Sequence, residues 1–274
     1  MRTICGVPVR TFTFDAAKQN LDTAFENCRC QIVAFANANA LNIATSNTHF
    51  REILQQAIIL NDGIGINLAS LLLFGEGFIE NLNGTDFIPR YLRSTKNCYG
   101  IFLLGAKPGV AELAATKLMK IAPQHNISGF LDGYFAASET YKVVEYIRNS
   151  KADILLVAMG NPAQELWLQN NLAATGCRLG FGVGALFDFL SGEASRSPRW
   201  VRELSLEWAY RLIREPRRLG KRYVLGLQFF WQRYLPTGYL PRIAPPDGDI
   251  MNWSTCDAPL FKSYWLRSSL ISPH

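Results

Sequence analysis

Residues 153–173 read DILLVAMGNPAQELWLQNNLA, and no other stretch says as much about the architecture. Asp153–Met159 is a short, β-leaning apolar run. Gly160-Asn161-Pro162 interrupts it, and Pro162–Ala173 then carries apolar residues at helical spacing. A strand, a glycine turn and a helix follow one another within about twenty residues, the unit of a parallel sheet. The same grammar recurs on either side. Further strands are predicted at Ile32–Ala36, Ala57–Leu60, Gly100–Leu104, Asn126–Phe130 and Arg178–Val183, and further helices at Asp15–Glu26, Pro108–Ile121 and Ser138–Asn149. Most of the strands are continuous apolar runs, as strands covered on both faces should be. The predicted class is α/β: a Rossmann-like, mostly parallel sheet covered by helices, followed by a helical, membrane-associating C-terminal appendage.

Composition agrees with a full-sized core. Of 274 residues, 49% are hydrophobic and 18% charged, which excludes global disorder. No apolar run reaches the roughly 18 residues that a membrane-spanning helix needs. The nearest, Ala57 to Ile79, is broken by Asn61, Asp62, Asn67 and Glu76. The N-terminal MRTICGVPVRTFTFD has no long apolar core of the kind that directs export, so the expectation is a soluble or surface-attached intracellular protein. The six cysteines are scattered and read as reduced structural thiols. Neither they nor His49, His125 and His274 have metal-site spacing.

The net charge of +6 is local. Residues 191–235 hold ten basic and four acidic residues, leaving the rest of the chain balanced at 18 against 18. Within this segment Trp200–Arg214 and Arg217–Tyr234 read as two helices separated by Pro216. Aromatic and aliphatic residues among the cations suit an anionic membrane interface; the plainer alternative is a core helix with a solvated basic face. The organisation expected is therefore a catalytic domain over 1–195, a basic amphipathic appendage over 196–235 and a poorly ordered tail over 236–274. In that tail Asp247-Gly248-Asp249 is taken as a chance match to a metal-binding D-x-D.

Open parallel sheets bind ligands beyond the carboxyl ends of their strands. Polar and glycine residues cluster at those positions: Asn37-Ala38-Asn39, Asn61-Asp62-Gly63, Gly105-Ala106-Lys107, Gly160-Asn161-Pro162 and Gly184 to Asp188. Several of these loops lead into helix N-termini, where free N–H groups favour phosphate. A nucleotide or sugar-phosphate cleft explains five such loops better than turn chemistry alone. No P-loop, no GxGxxG after the first strand and no GxSxG elbow is present, which disfavours P-loop NTPases, ordinary dinucleotide enzymes and serine hydrolases.

An ordered series of motifs is specific. It runs through Asn61-Asp62-Gly63-Ile64-Gly65, Gly84-Thr85-Asp86, Leu103-Leu104-Gly105 with Pro108, and Gly129 with Gly133-Tyr134-Phe135. It continues with Gly160-Asn161-Pro162-Ala163-Gln164-Glu165 and Gly182-Val183-Gly184 with Phe187-Asp188. Arg196-Ser197-Pro198 and the Glu207-Trp208 to Arg218 segment close it. Over roughly residues 5–235 this series resembles the WecG/TagA/CpsF glycosyltransferase family of polyprenol-linked polysaccharide assembly.

The resemblance implies an inverting, metal-independent transferase with no cofactor. It would move a sugar from a UDP-sugar to an undecaprenyl-diphosphate-linked sugar at the cytoplasmic face of the plasma membrane. It makes Asp62 the general base, against the plainer reading of an Asp-Gly turn. It puts Gln164 and Asp188 in the donor pocket, against helix-capping roles for both: Gln164 at the third position of a helix opened by Asn161-Pro162, Asp188 as cap of a helix from Phe189. With Asn37, Asn39, Asn61, Gly63, Gly84, Thr85, Asp86, Gly105 and Gly160 these complete the strand-end set. Arg211, Arg214 and Arg218 of the appendage would reach into the same cleft and offset the charge of the departing diphosphate.

Three positions depart from the family's pattern. Phe35 stands where many members have an active-site threonine, Asn81 where an arginine is common, and Ala163 where a lysine often precedes Gln-Glu. The wording Asn-Leu-Asn-Gly-Thr-Asp-Phe over 81–87 resembles the GumM-like branch, which adds glucose β-1,4 to a lipid-linked glucose in exopolysaccharide synthesis. The alternative branch transfers N-acetylmannosamine or its uronic acid to lipid-linked N-acetylglucosamine. A catalytically silent nucleotide-sugar scaffold is the competing reading from another class. A nucleic-acid role has no motif behind it. Oligomeric state is left open, a homo-oligomer included.

Overall fold

In the computed structural model, residues 1–194 and Tyr210 are described. The expected appendage and tail, with Arg211, Arg214 and Arg218, lie outside the described residues. Two short strands, β1 (Arg2–Ile4) and β2 (Val7–Val9), open the chain, followed by α1 (Phe14–Glu26) and β3 (Gln31–Ala36). Next come α2 (Ala38–Ser46), α3 (Thr48–Gln56), β4 (Ile58–Asn61), α4 (Ile64–Phe74) and α5 (Gly84–Ser94). The remaining elements are β5 (Gly100–Gly105), α6 (Val110–Ile121), β6 (Asn126–Leu131), α7 (Thr140–Asn149), β7 (Ile154–Ala158), α8 (Ala163–Thr175), β8 (Leu179–Gly182) and α9 (Leu186–Ser191).

The eight strands form one sheet in the order β1-β2-β4-β3-β8-β7-β5-β6, parallel throughout except for the β1–β2 hairpin. Residue alternation along the strands decides which layer each side chain joins. Val33 and Phe35, Ile58 and Leu60, Ile101 and Leu103, and Ile154 and Leu156 enter one layer, beneath α1, α5, α6 and α9. Ala34, Ala36 and Ile59 point the other way, under α2, α3 and α4. Phe102, Leu104, Leu155 and Val157 pack under α7 and α8. Each wholly buried Leu, Ile or Phe stabilises by about 1.5–3 kcal/mol relative to exposure, so the continuous apolar runs are explained by coverage on both sides. β8 has no side chain on its α8 face. A Cβ on Gly180 would lie 2.7 Å from Leu168 and one on Gly182 2.9 Å from Gln164, so α8 packs directly on the strand backbone.

All six strands read from the sequence are present within a residue or two at each end. The hairpin β1–β2 and the helices α2 to α5 and α9 go beyond that reading. Helix α8 begins one residue later than the Asn161-Pro162 pattern suggests, with Pro162 at the N-cap. Asp188 falls inside the first turn of α9, whose N-cap is Ala185, so the structure replaces the cap reading of Asp188. Among the described residues no helix is long and apolar enough to cross a membrane.

Candidate active site

From β3 through β8 and β7 to β5 the following helices leave on alternate sides of the sheet, while α2 and α4, after the neighbours β3 and β4, share one layer. α2 follows β3 into one layer, while α9 follows the neighbouring β8 into the other. A crevice at the carboxyl edge opens where such neighbours diverge. The strand-end residues named above gather along this edge in two adjoining groups.

The first group surrounds Asp62, the residue after β4. Its backbone N–H donates to Ala36 O (2.8 Å), locking the loop to the end of β3. Asn37 caps α2, its Oδ1 accepting from Ala40 N (3.1 Å), and its Nδ2 reaches Asp62 Oδ2 at 3.4 Å. Asn39 lies in the first turn of α2. Gly63 takes φ 89°, ψ 175°, a conformation reserved for glycine, and α4 starts from it with no side-chain cap. Gly63 thus makes the turn, and the Asp62 carboxylate faces the amide of Asn37, the cap of α2. Asn61 is buried and ties the loop to the next segment: its Nδ2 donates to Glu80 O (2.7 Å) and its backbone O accepts from Leu82 N (3.1 Å). Asn81 Oδ1 accepts from Gly63 N (2.9 Å). One departure from the family pattern therefore sits against the Asp62 turn itself.

Gly84, Thr85 and Asp86 form the first turn of α5. Asn83 Oδ1 accepts from Asp86 N (3.0 Å) while Asn83 Nδ2 donates to Asp86 Oδ2 (3.0 Å), a reciprocal cap. A Cβ on Gly84 would sit 2.9 Å from the ring of Phe35. Phe35 is buried and packs on Phe87, ring centroids 6.0 Å apart. The Phe35 ring supports the α5 start from below.

The second group joins the loops after β5, β7 and β8. Gly105 has φ 127°, with Ala106 N donating to Ala158 O (2.9 Å) beside it. Gln164, expected in the donor pocket, is only 2% exposed. Its Oε1 accepts from both Gly160 N (3.1 Å) and Gly184 N (3.0 Å), clamping the β7 and β8 loops together. Its Nε2 donates to Glu165 Oε1 (2.7 Å), which also accepts from Asn161 Nδ2 (2.6 Å). Asp188 stands one turn beyond Gly184, in the first turn of α9.

Glu165 was quoted in the sequence motif without a role, and it is the buried centre of this clamp. Burial pushes its carboxyl up to about 7, against the downward pull of the hydrogen bonds from Gln164 and Asn161. The folded protein therefore holds this proton more tightly than the unfolded chain, whose ordinary value is 4.5. The resulting stabilisation is complete below the unfolded value and is lost as pH rises through about 7. Between those limits stability is expected to fall by a few kcal/mol. Urea unfolding across this window checks it: Glu165→Gln should flatten the slope, and an unchanged slope would refute the assignment.

The helices that start after β4, β5, β7 and β8 begin on Gly63, Gly109, Pro162 and Ala185, none with a side-chain cap. At α8 Gln164 N is already bonded to Gly160 O (3.0 Å), whereas the first N–H groups of the twelve-residue α6 suit an anionic ligand. Among the described residues no group of three or more His, Cys, Asp or Glu is placed to hold a metal ion. A mostly parallel sheet, glycine turns at its strand ends and a carboxylate after β4 together define an α/β protein of the Rossmann-like class.

The particular family follows from a match over most of the chain. The model of the glycosyl transferase WecG/TagA/CpsF family matches residues 2–240, and this chain belongs to that family. It is accordingly a glycosyltransferase, of a family that uses nucleotide-sugar donors and lipid-linked acceptors.

Proposed function

We propose that the protein transfers a hexose, glucose in β-1,4 linkage, from a UDP-sugar to an undecaprenyl-diphosphate-linked sugar in exopolysaccharide assembly, with inversion and without a metal or other cofactor. The observation that carries this reading is the placement of Asp62 at the end of β4, between the starts of α2 and α4, with its carboxylate against the Asn37 amide. In this scheme the acceptor hydroxyl attacks the anomeric carbon and its proton passes to an Asp62 oxygen. The bond from that carbon to the UDP oxygen breaks on the opposite face. The start of α6 offers N–H groups to the diphosphate. Arg211, Arg214 and Arg218 add positive charge from the appendage. Gly105, Gly160, Asn161 and Asp188 shape the donor side, Asn37, Asn39 and Gly84 to Asp86 the acceptor side. Gln164 acts by holding two donor loops in register. The appendage attaches the enzyme to the anionic inner face of the plasma membrane.

The GumM-like choice of sugar rests on residues 81–87, and Asn81 supports it by touching the Asp62 turn. A donor screen with a lipid-diphosphate glucose acceptor and no added metal tests it. Acceptor-dependent UDP release is expected from UDP-glucose. Release only from UDP-N-acetylmannosamine, onto lipid-linked N-acetylglucosamine, would move the protein to the other branch. No release from any pair would favour a silent scaffold.

A further inference from the structure

Helix α4 is apolar on both sides, and the described residues cover only one of them. Ile66, Ala69 and Ser70 are buried against the sheet. The outer side shows Ile64, Leu68, Leu71 and Leu72 at i, i+4, i+7 and i+8, extended by Leu73, Phe74 and, beyond the helix, Ile79. Among the described residues these seven are 42–70% exposed. A helix apolar all round belongs in a core or against lipid. Single exposed leucines need no explanation, but a continuous ridge does. No ionisable residue occurs from Gly63 to Gly75. The one large polar residue on the outer side, Asn67, turns its Oδ1 back to accept from Phe78 N (2.6 Å). At the far end Arg2 lies over the rings of Phe74 and Phe78 (5.9 and 5.5 Å) and pairs with Glu76 (2.8 Å). The ridge is therefore about 16 Å long, uncharged, and bordered by an already compensated ion pair.

We infer that the outer face of α4 enters the acyl region of the bilayer, making a second membrane contact separate from the basic C-terminal segment. A ridge with no ionisable residue from Gly63 to Gly75 needs no counter-charge and can be seated in hydrocarbon without burying a charge. The family's acceptor is lipid-linked, so the enzyme must meet such a surface. Position adds a reason: α4 begins two residues after Asp62, so seating the ridge in lipid brings the Asp62 loop to the headgroup layer, where a lipid-linked sugar resides.

Hydrogen exchange on the full chain, with and without phosphatidylcholine–phosphatidylglycerol vesicles, tests this. Exchange over 64–74 is expected to slow on vesicle addition. The double variant Leu68→Gln/Leu72→Gln should weaken vesicle partition by about tenfold or more while leaving the circular dichroism and transfer to a short-chain, water-soluble acceptor unchanged. Unchanged exchange over 64–74, or partition equal to wild type, overturns the inference. A variant that partitions like wild type but loses self-association in sedimentation would assign the ridge to a second copy of the chain. Because partition is read without turnover, these outcomes are independent of the sugar-transfer proposal.

Discussion

Asp62→Asn is expected to lower sugar transfer by about 10²–10⁴-fold, the usual contribution of a positioned general base, with little change in UDP affinity. The substitution keeps shape and removes basicity. An amide oxygen at 62 still faces Asn37 Nδ2, and the turn that launches α4 is made by Gly63, so the loop should keep its path. Binding and chemistry therefore separate. Titration with UDP reports the donor side, and single-turnover transfer reports the proton acceptor. Loss of UDP binding in parallel with rate would point to a structural role for Asp62. Full transfer by the variant would remove it from the chemistry altogether.

Gly105→Ala is expected to destabilise the fold by about 3–5 kcal/mol, lowering the thermal midpoint by about 10 °C or more. Two costs combine. At φ 127° a side chain is strained by itself. The added Cβ would also stand 2.4 Å from Ala158 O and 2.6 Å from Ala158 C, both backbone atoms of the adjoining strand β7. Neither can yield without parting β5 from β7, where Ala106 N also depends on Ala158 O. Gly109→Ala separates the terms. Gly109 has φ 82° with nothing within 4 Å of a built Cβ, so it carries backbone strain alone and should cost about 1 kcal/mol. Equal effects at the two positions would contradict the close-contact argument. The donor-side loops rest on this contact, so the motif glycine serves the site by letting two backbones meet.

The strands were legible because burial on both faces writes a run such as Ile101 to Leu104 or Ile154 to Ala158 with no polar interruption. The hairpin was not, since three-residue strands around Gly6 are too short to show a period. Helix α5 was hidden by Pro89, which normally signals a break but here falls in its second turn, after an Asn83 cap. The candidate site was legible to the extent that ligands gather where apolar runs end in glycine and asparagine, which brings out Asp62, Gly105 and Gly160. The clamp was not. Gln164 and Gly184 are 20 residues apart, and Asn81 and Gly63 are 18. The first pair meets because β7 and β8 are neighbours in the sheet, the second because the chain returns to the end of β4 after α4. A local pattern can mark Gln164 as a helix start, but it cannot show that the same oxygen holds two loops. Helix α4 was visible only as an interrupted apolar stretch. Which of its sides faces water depends on the layer it joins.

The most direct test of the central claim is the anomeric configuration of the product formed from an α-linked UDP-sugar, read by nuclear magnetic resonance after transfer to the lipid-diphosphate acceptor. Direct displacement assisted by Asp62 predicts a β-linked sugar, with that product lost in Asp62→Asn. An α-linked product would contradict the single-displacement account and the role given to Asp62.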